Sequence, residues 1–406
     1  MHLIIPDIFT RLLESVMLNI DEPTQPQPQF SLFNLGFRPF FLLGAIFSLI
    51  AISIWGGFFF GHIQFSPHGD PIWWHGHEMI FGFVIAIIAG FLLTAVQNWT
   101  GQPGVKGKSL IALVLVWLLP RVLLLDKDWV SLEVIMAIDL AFAPLTALFM
   151  ARSVLKVKQW RNFAFVPILL MLMLVNALSY YGLLTNDSAL TQTALHSAIL
   201  LMVTVVALIG GRVIPFFTER ATQWQRSPNI VWLEILTFIS LILLILSVLF
   251  QHTLVIRISA GIAGIILLMR WSRWGGRHTA RVPLLWSLHI SYFFIPLGLL
   301  LIATGENFSA GLHGITLGGL GGMILAMMAR VSLGHTGRKL TPPKIVTLAF
   351  ALIVLATVCR ILAGLMTSYY LPLLEAAIAC WVLSFVIFIY HYTPILLKAR
   401  VDGKPG

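Results

Sequence analysis

Charge is what this 406-residue sequence has least of: Asp, Glu, Lys and Arg together make up 10% of it, against roughly 25% in soluble domains. Water is therefore not its main solvent. Cysteine is almost missing as well. Cys359 and Cys380 are the only two, both inside apolar stretches, which excludes a disulfide framework and any Cys/His zinc spacing. No glycine-rich phosphate loop and no Ser/His/Asp ordering at a helix elbow occurs, so ATPase and hydrolase readings lose their support.

What is there instead is apolar: 58% hydrophobic residues and a mean hydropathy of +0.92. A hydrocarbon layer of about 30 Å needs about 20 mostly apolar residues per helical crossing. Twelve such spans stand out, near 36–60, 72–98, 108–125, 130–152, 162–184, 191–214, 230–250, 254–270, 283–303, 310–333, 344–366 and 371–393. The fold expected is an all-α polytopic membrane protein of about twelve transmembrane helices, with the lipid bilayer as its first partner. Of the 26 Lys and Arg, 22 fall in the two tails or the even-numbered loops. The exceptions are Arg121, Lys127, Arg257 and Arg360. Positive charge is retained on the cytoplasmic side, so both termini are expected inside.

The net charge of +10 is thereby a topology signal, spread over loops and tails rather than gathered into a nucleic-acid stripe; no nucleic-acid partner is expected. Residues 1–35, with a Pro/Gln-rich run from Glu22 to Gln29, read as a cytoplasmic tail. Residues 36–393 read as one transmembrane domain and 394–406 as a second cytoplasmic tail.

Three segments repeat. Thr100, Thr218 and Thr336 are spaced by 118 residues each, and His77, His196 and His313 by 119 and 117. Each pair brackets one helix, which divides the chain into three pseudo-repeats of four helices with a histidine near the same end of helices 2, 6 and 10.

Ionisable groups in hydrocarbon cost several kcal/mol unless paired or coordinated, so they are the functional candidates. The richest cluster is Trp73-Trp74-His75-Gly76-His77-Glu78-Met79. Helical spacing puts His75, Glu78 and Met79 on one face and turns His77 roughly 160° away from His75. Below His75 the stripe continues as Gly82, Ala86 and Gly90, where a helix or a flat cofactor can approach. Neutral imidazole ligates iron or copper, and Glu78 and Met79 are placed to support it. Interfacial histidines that merely hydrogen-bond headgroups are the plainer reading. His313 lies amid six glycines, for which tight helix packing is an equal explanation. His289 lies toward the opposite end of helix 9, as a second cofactor ligand or a packed core residue. Arg212, Arg330 and Arg38 could pair with heme propionates or another anion; retention by the positive-inside rule is the alternative. Asp139, mid-helix with no evident local partner, is a candidate proton relay or a structural hydrogen-bonding group.

Several of these segments are long enough to carry a likeness: Gly36-Phe37-Arg38-Pro39-Phe40, His75-Gly76-His77-Glu78-Met79 leading to Ala89-Gly90-Phe91-Leu92-Leu93-Thr94-Ala95, Asn98-Trp99-Thr100-Gly101, Gly211-Arg212-Val213-Ile214-Pro215-Phe216-Phe217-Thr218, and Arg330-Val331-Ser332-Leu333-Gly334-His335-Thr336-Gly337-Arg338. Together they resemble the NnrS family over helices 1 to 10. That resemblance implies a heme- and copper-containing protein of the bacterial inner membrane, associated with denitrification and with resistance to nitric oxide and nitrosative stress. It implies His75, His77, His196, His289 and His313 as intramembrane ligand candidates, and puts Arg212, His335 and Arg338 in shared motifs of unassigned role. It leaves the electron donor unnamed. The threefold layout is also similar to the catalytic subunit of heme-copper oxidases, but helix 7 lacks a His-His pair and helix 10 lacks two closely spaced histidines.

The leading expectation is a heme- and copper-bearing inner-membrane protein that protects against nitric oxide, by binding or redox chemistry at a histidine-ligated heme and a nearby copper. Two rivals are a transporter of a metal or small anion, using His75, Glu78 and Met79 as a soft-metal relay, and a quinol-linked nitric oxide reductase, for which Asp139 and Glu133 are the proton-path candidates.

Overall fold

The computed structural model describes residues 30–403. The expected tail over residues 1–35 lies almost wholly outside them. Among the described residues there is no strand, and twelve long helices follow one another: α1 (Phe37–Phe59), α2 (Pro71–Thr100), α3 (Lys108–Leu123), α4 (Leu132–Lys156), α5 (Trp160–Leu184), α6 (Ser188–Ala221), α7 (Val231–Leu249), α8 (Thr253–Ser272), α9 (Pro283–Thr304), α10 (Phe308–His335), α11 (Lys344–Leu365) and α12 (Thr367–Leu397). Eleven are long and apolar enough to cross a membrane. The twelfth, α3, has 16 residues, about 24 Å at 1.5 Å per residue, shorter than a hydrocarbon layer of about 30 Å. The protein is an integral membrane protein.

Local sequence sets the helix ends. Asp70 accepts from the backbone N–H groups of Ile72 and Trp73 to start α2 ahead of Pro71, Asp187 caps α6, Asn307 caps α10, and Gly101 and Gly305 close α2 and α9 in the left-handed conformation. Successive helices pack on one another and α12 returns onto α1, which closes the bundle. Within it α2 and α10 are the inner helices, 83% and 78% buried over their apolar windows, against 33–39% for α7 and α8. The outer helices keep Leu and Ile on their lipid side, such as Ile242, Leu243, Ile262 and Ile265.

Glycine lets the inner helices come close. A Cβ on Gly298 of α9 would lie 2.5 Å from the Gly311 carbonyl of α10, and one on Gly311 would lie 2.6 Å from the Gly298 carbonyl. Gly318 faces Phe294 and Thr357, and Gly321 faces Trp381. In α2 the small stripe below His75 is filled by α1: Gly82 faces Phe47 and Gly90 faces Phe40. Of the two explanations open for these residues, helix packing is the one their neighbours satisfy.

Both inner helices widen for about two turns, over Glu78–Val84 in α2 and Gly314–Gly321 in α10. There the Ile85 N–H reaches the Ile80 carbonyl and the Gly322 N–H reaches the Leu317 carbonyl, five residues back. Such π turns inside α-helices often mark functional sites. Both begin directly after a histidine of the repeat, His77 and His313. The repeat threonines sit in like settings too: Thr100, Thr218 and Thr336 each donate to the carbonyl four residues earlier, in the last turns of α2, α6 and α10.

Candidate functional site

Three of the sequence-selected histidines meet at one cavity. His75 of α2, His196 of α6 and His313 of α10 all line a space of about 410 Å³, within the usual size of a small-molecule pocket. It lies at the end of the bundle where α1 and α11 finish and α2, α6, α10 and α12 begin. Trp55, Phe83, Phe308 and Trp381 form much of the wall, with Met79, Thr316 and Arg360 as polar or polarizable additions. No Asp or Glu lines it.

Each imidazole is held differently. The His313 Nδ1 lies 2.9 Å from the carbonyl of Ser309, one turn earlier. That contact places the ring proton on Nδ1 and leaves the Nε2 lone pair without a protein partner, the arrangement a metal-ligating histidine needs. His75 stacks on Trp55 with ring centroids 4.6 Å apart, and its buried Nδ1 has no hydrogen-bond partner. His196 packs against Phe308, centroids 4.9 Å apart. Among the described residues, no three His, Cys, Asp or Glu side chains lie close enough to enclose one metal ion.

His77 is not among them. It points across α2 into a second, wholly buried polar group, as its angular separation from His75 requires. Its Nδ1 lies 2.9 Å from Glu78 Oε1, and its Nε2 lies 2.9 Å from Asn176 Oδ1 and 3.3 Å from Asp139 Oδ2. With both ring nitrogens engaged, His77 has no lone pair for a metal, which corrects its place in the ligand set. Glu78 goes with it. Regular helical spacing predicts Glu78 near the face of His75, but its carboxylate turns toward Arg121, whose Nη1 donates to Glu78 Oε1 at 2.7 Å. Glu78 therefore does not support His75, and the soft-metal relay loses its middle member. Asp139, expected to stand alone, forms an ion pair with Arg121 and accepts from Asn176 Nδ2 at 2.9 Å and Tyr180 Oη at 3.1 Å.

The other predicted residues lie far from the cavity. His289 faces Thr218 Oγ1 at 2.9 Å, and Thr218 is 22 residues past His196 on α6, roughly 33 Å along the helix. Arg330, 17 residues beyond His313, lies over the Phe217 ring at 3.8 Å. Arg212 donates to Asn162 Oδ1 at 2.9 Å. Neither reaches a cavity ligand. Arg38 donates to the Leu396 and Lys398 carbonyls at 2.9 and 2.7 Å, and the His335 carbonyl accepts from Arg400 at 2.9 Å. Arg400 also bonds Asp402, whose carboxylate holds the guanidinium above its ordinary pKa. Arg338 donates to the Thr336 carbonyl. Arg38 and the His335 carbonyl thus tie the start of α1 and the end of α10 to the end of α12 and the segment after it, while the Arg338 bond stays within its own turn.

Arg360, Ser309 and Trp55 were not singled out in the sequence, although Arg360 was visible as a charge inside an apolar span at the arginine-poor end. Asn176 and Tyr180 carried no comparable signal. No curated protein matches the chain. A family model described as NnrS protein matches residues 31–400.

Proposed function

Since the chain belongs to the NnrS family, matched over residues 31–400, we propose that it is a heme- and copper-binding protein of the bacterial inner membrane that acts in the response to nitric oxide and nitrosative stress. The convergence of His75, His196 and His313 from three helices on one apolar cavity carries this reading. Both tails lie in the cytoplasm by the charge asymmetry of the loops, which puts the cavity toward the opposite face.

His313 suits heme iron best, because its Nδ1 is committed to Ser309 and its Nε2 is not. Aromatic walls suit a flat macrocycle, and His75 with Met79 offers one nitrogen and one thioether to copper, a soft donor pair. A bound heme would supply reversible binding of a small diatomic ligand and one-electron chemistry. The protein's own contribution is the rest. The apolar lining keeps bulk water from the site and is permeable to an uncharged gas dissolved in the bilayer. His313 is fixed in one tautomer, and Trp55 holds the His75 ring by stacking.

The quinol-linked reductase reading needs a proton path. Asp139 is locked among Arg121, Asn176 and Tyr180, and Glu133 is exposed in the first turn of α4; neither lines the cavity. Purified protein is expected to carry a Soret band and stoichiometric copper. Protein that shows neither, after expression with heme and copper supplied, overturns the proposal.

A further inference from the structure

Among the described residues, Arg360 is the buried cation at the cavity end of the bundle that has neither an ion pair nor a full set of hydrogen bonds. Four basic residues occupy that end: Arg121, Lys127, Arg257 and Arg360. Arg121 is paired with Glu78 and Asp139. Lys127 is exposed. Arg257 donates to the carbonyls of Ala303 and Thr304 at the end of α9. Arg360 is only 9% exposed, lines the cavity and makes a single hydrogen bond, from Nη2 to Ser309 Oγ at 3.0 Å. Its Nη1 is buried with no partner, and among the described residues it forms no ion pair.

A guanidinium removed from water costs several kcal/mol unless a counter-charge comes with it. Among the described residues the cavity lining contains no carboxylate, which leaves the counter-charge to a ligand. Ser309, at the exposed rim, completes the geometry. Its hydroxyl oxygen accepts from Arg360 and lies 3.4 Å from His313 Nδ1, and its carbonyl accepts from that same ring nitrogen. Arg360, Ser309 and His313 thus form one connected unit.

We infer that Arg360 and Ser309 form a subsite for a planar monovalent oxyanion, either a carboxylate carried by a larger cavity ligand or a small free anion of the formate or nitrite type. The fork of the guanidinium matches two oxygens of one such group, and Lys cannot reproduce that match. A single positive charge between apolar walls favours one negative charge over two, so sulfate is excluded. The inference rests on the cavity of the preceding proposal but not on heme being there.

The test uses the full chain in detergent, prepared both without and with heme, as wild type, Arg360→Lys, Arg360→Gln and Ser309→Ala. Sodium formate and sodium nitrite are titrated calorimetrically, and heme per polypeptide is measured separately. Heme-free wild type is expected to bind both anions and not sulfate. Arg360→Gln should weaken binding by about 10- to 100-fold, from the loss of a charged hydrogen-bonding pair, with Arg360→Lys and Ser309→Ala in between. If heme loading abolishes formate binding and Arg360→Gln lowers heme retention, the occupant is the cofactor's carboxylate. If formate still binds beside heme, the occupant is a free anion. Wild type that binds neither anion, or Arg360→Gln and Ser309→Ala proteins that bind as wild type does, overturns the inference. Should Arg360→Gln not fold, Arg360→Lys and Ser309→Ala carry the comparison. A protein with no heme or copper at all would sink the functional proposal and leave the heme-free titration standing.

Discussion

Replacing Arg121 by methionine removes the only guanidinium from a buried group that also holds two carboxylates. Glu78 is 0%, Arg121 2% and Asp139 5% exposed, and Arg121 bonds both acids through different nitrogens. Removing one partner of a buried ion pair costs about 3–5 kcal/mol, because the remaining charge is stranded away from water. Here two lose their guanidinium; Asn176 and Tyr180 still donate to Asp139, and His77 still lies against Glu78 Oε1 and Asp139 Oδ2. The fold should therefore lose at least about 3 kcal/mol, a hundredfold or more in the ratio of folded to unfolded protein. The triple variant Glu78→Gln, Arg121→Met, Asp139→Asn neutralises all three at nearly constant volume and should recover most of the loss, since coupled neighbours are not additive. Titration of purified protein from mild detergent into SDS, followed by helical circular dichroism, measures both. An Arg121→Met protein within 1 kcal/mol of wild type, or a triple variant as unstable as the single one, would refute the reasoning.

Further outcomes are expected elsewhere. Gly298→Val should cost about 1–3 kcal/mol or more by overpacking, because its side chain meets the Gly311 carbonyl. It should also disturb any spectrum that depends on His313, as the same denaturation assay and an optical scan would reveal. Arg38→Gln removes charged hydrogen bonds to the Leu396 and Lys398 carbonyls, worth about 1.5–3 kcal/mol; limited proteolysis should then cut first near residue 400, and an unchanged cleavage pattern would count against the tie. For topology, single cysteines are placed at Gln223 and Asn186 in a chain lacking Cys359 and Cys380. An impermeant thiol reagent should label the first only in inverted vesicles and the second only in right-side-out ones. The reverse pattern would contradict the cytoplasmic placement of both tails.

The helices were legible because lipid demands long apolar runs, and α1 to α12 fall where those runs lie. The three cavity histidines were legible for a related reason: an imidazole inside hydrocarbon has to be explained. What spacing alone could not supply was partnership between helices. Asp139 looks isolated along the chain, since its partner Arg121 comes from α3 and its other donors from α5. Glu78 follows the same rule: regular helical angles put it near the face of His75, but Arg121 of α3 takes its carboxylate. Arg212 and Arg330 looked like anion partners because they end helices that carry cavity histidines, but helix length separates them from the cavity. Arg360 does face it, on a helix with no histidine to draw notice.

The central claim is that the side chains at 75, 196 and 313 serve one cofactor-binding cavity. It is tested most directly by visible absorption and metal content of His75→Ala, His196→Ala and His313→Ala beside a His289→Ala control, all prepared with heme and copper supplied. Each of the first three should shift or diminish the same absorbing species or lower copper, while His289→Ala keeps the wild-type spectrum and metal content. Three wild-type spectra with full metal, or a loss confined to His289→Ala, would contradict it.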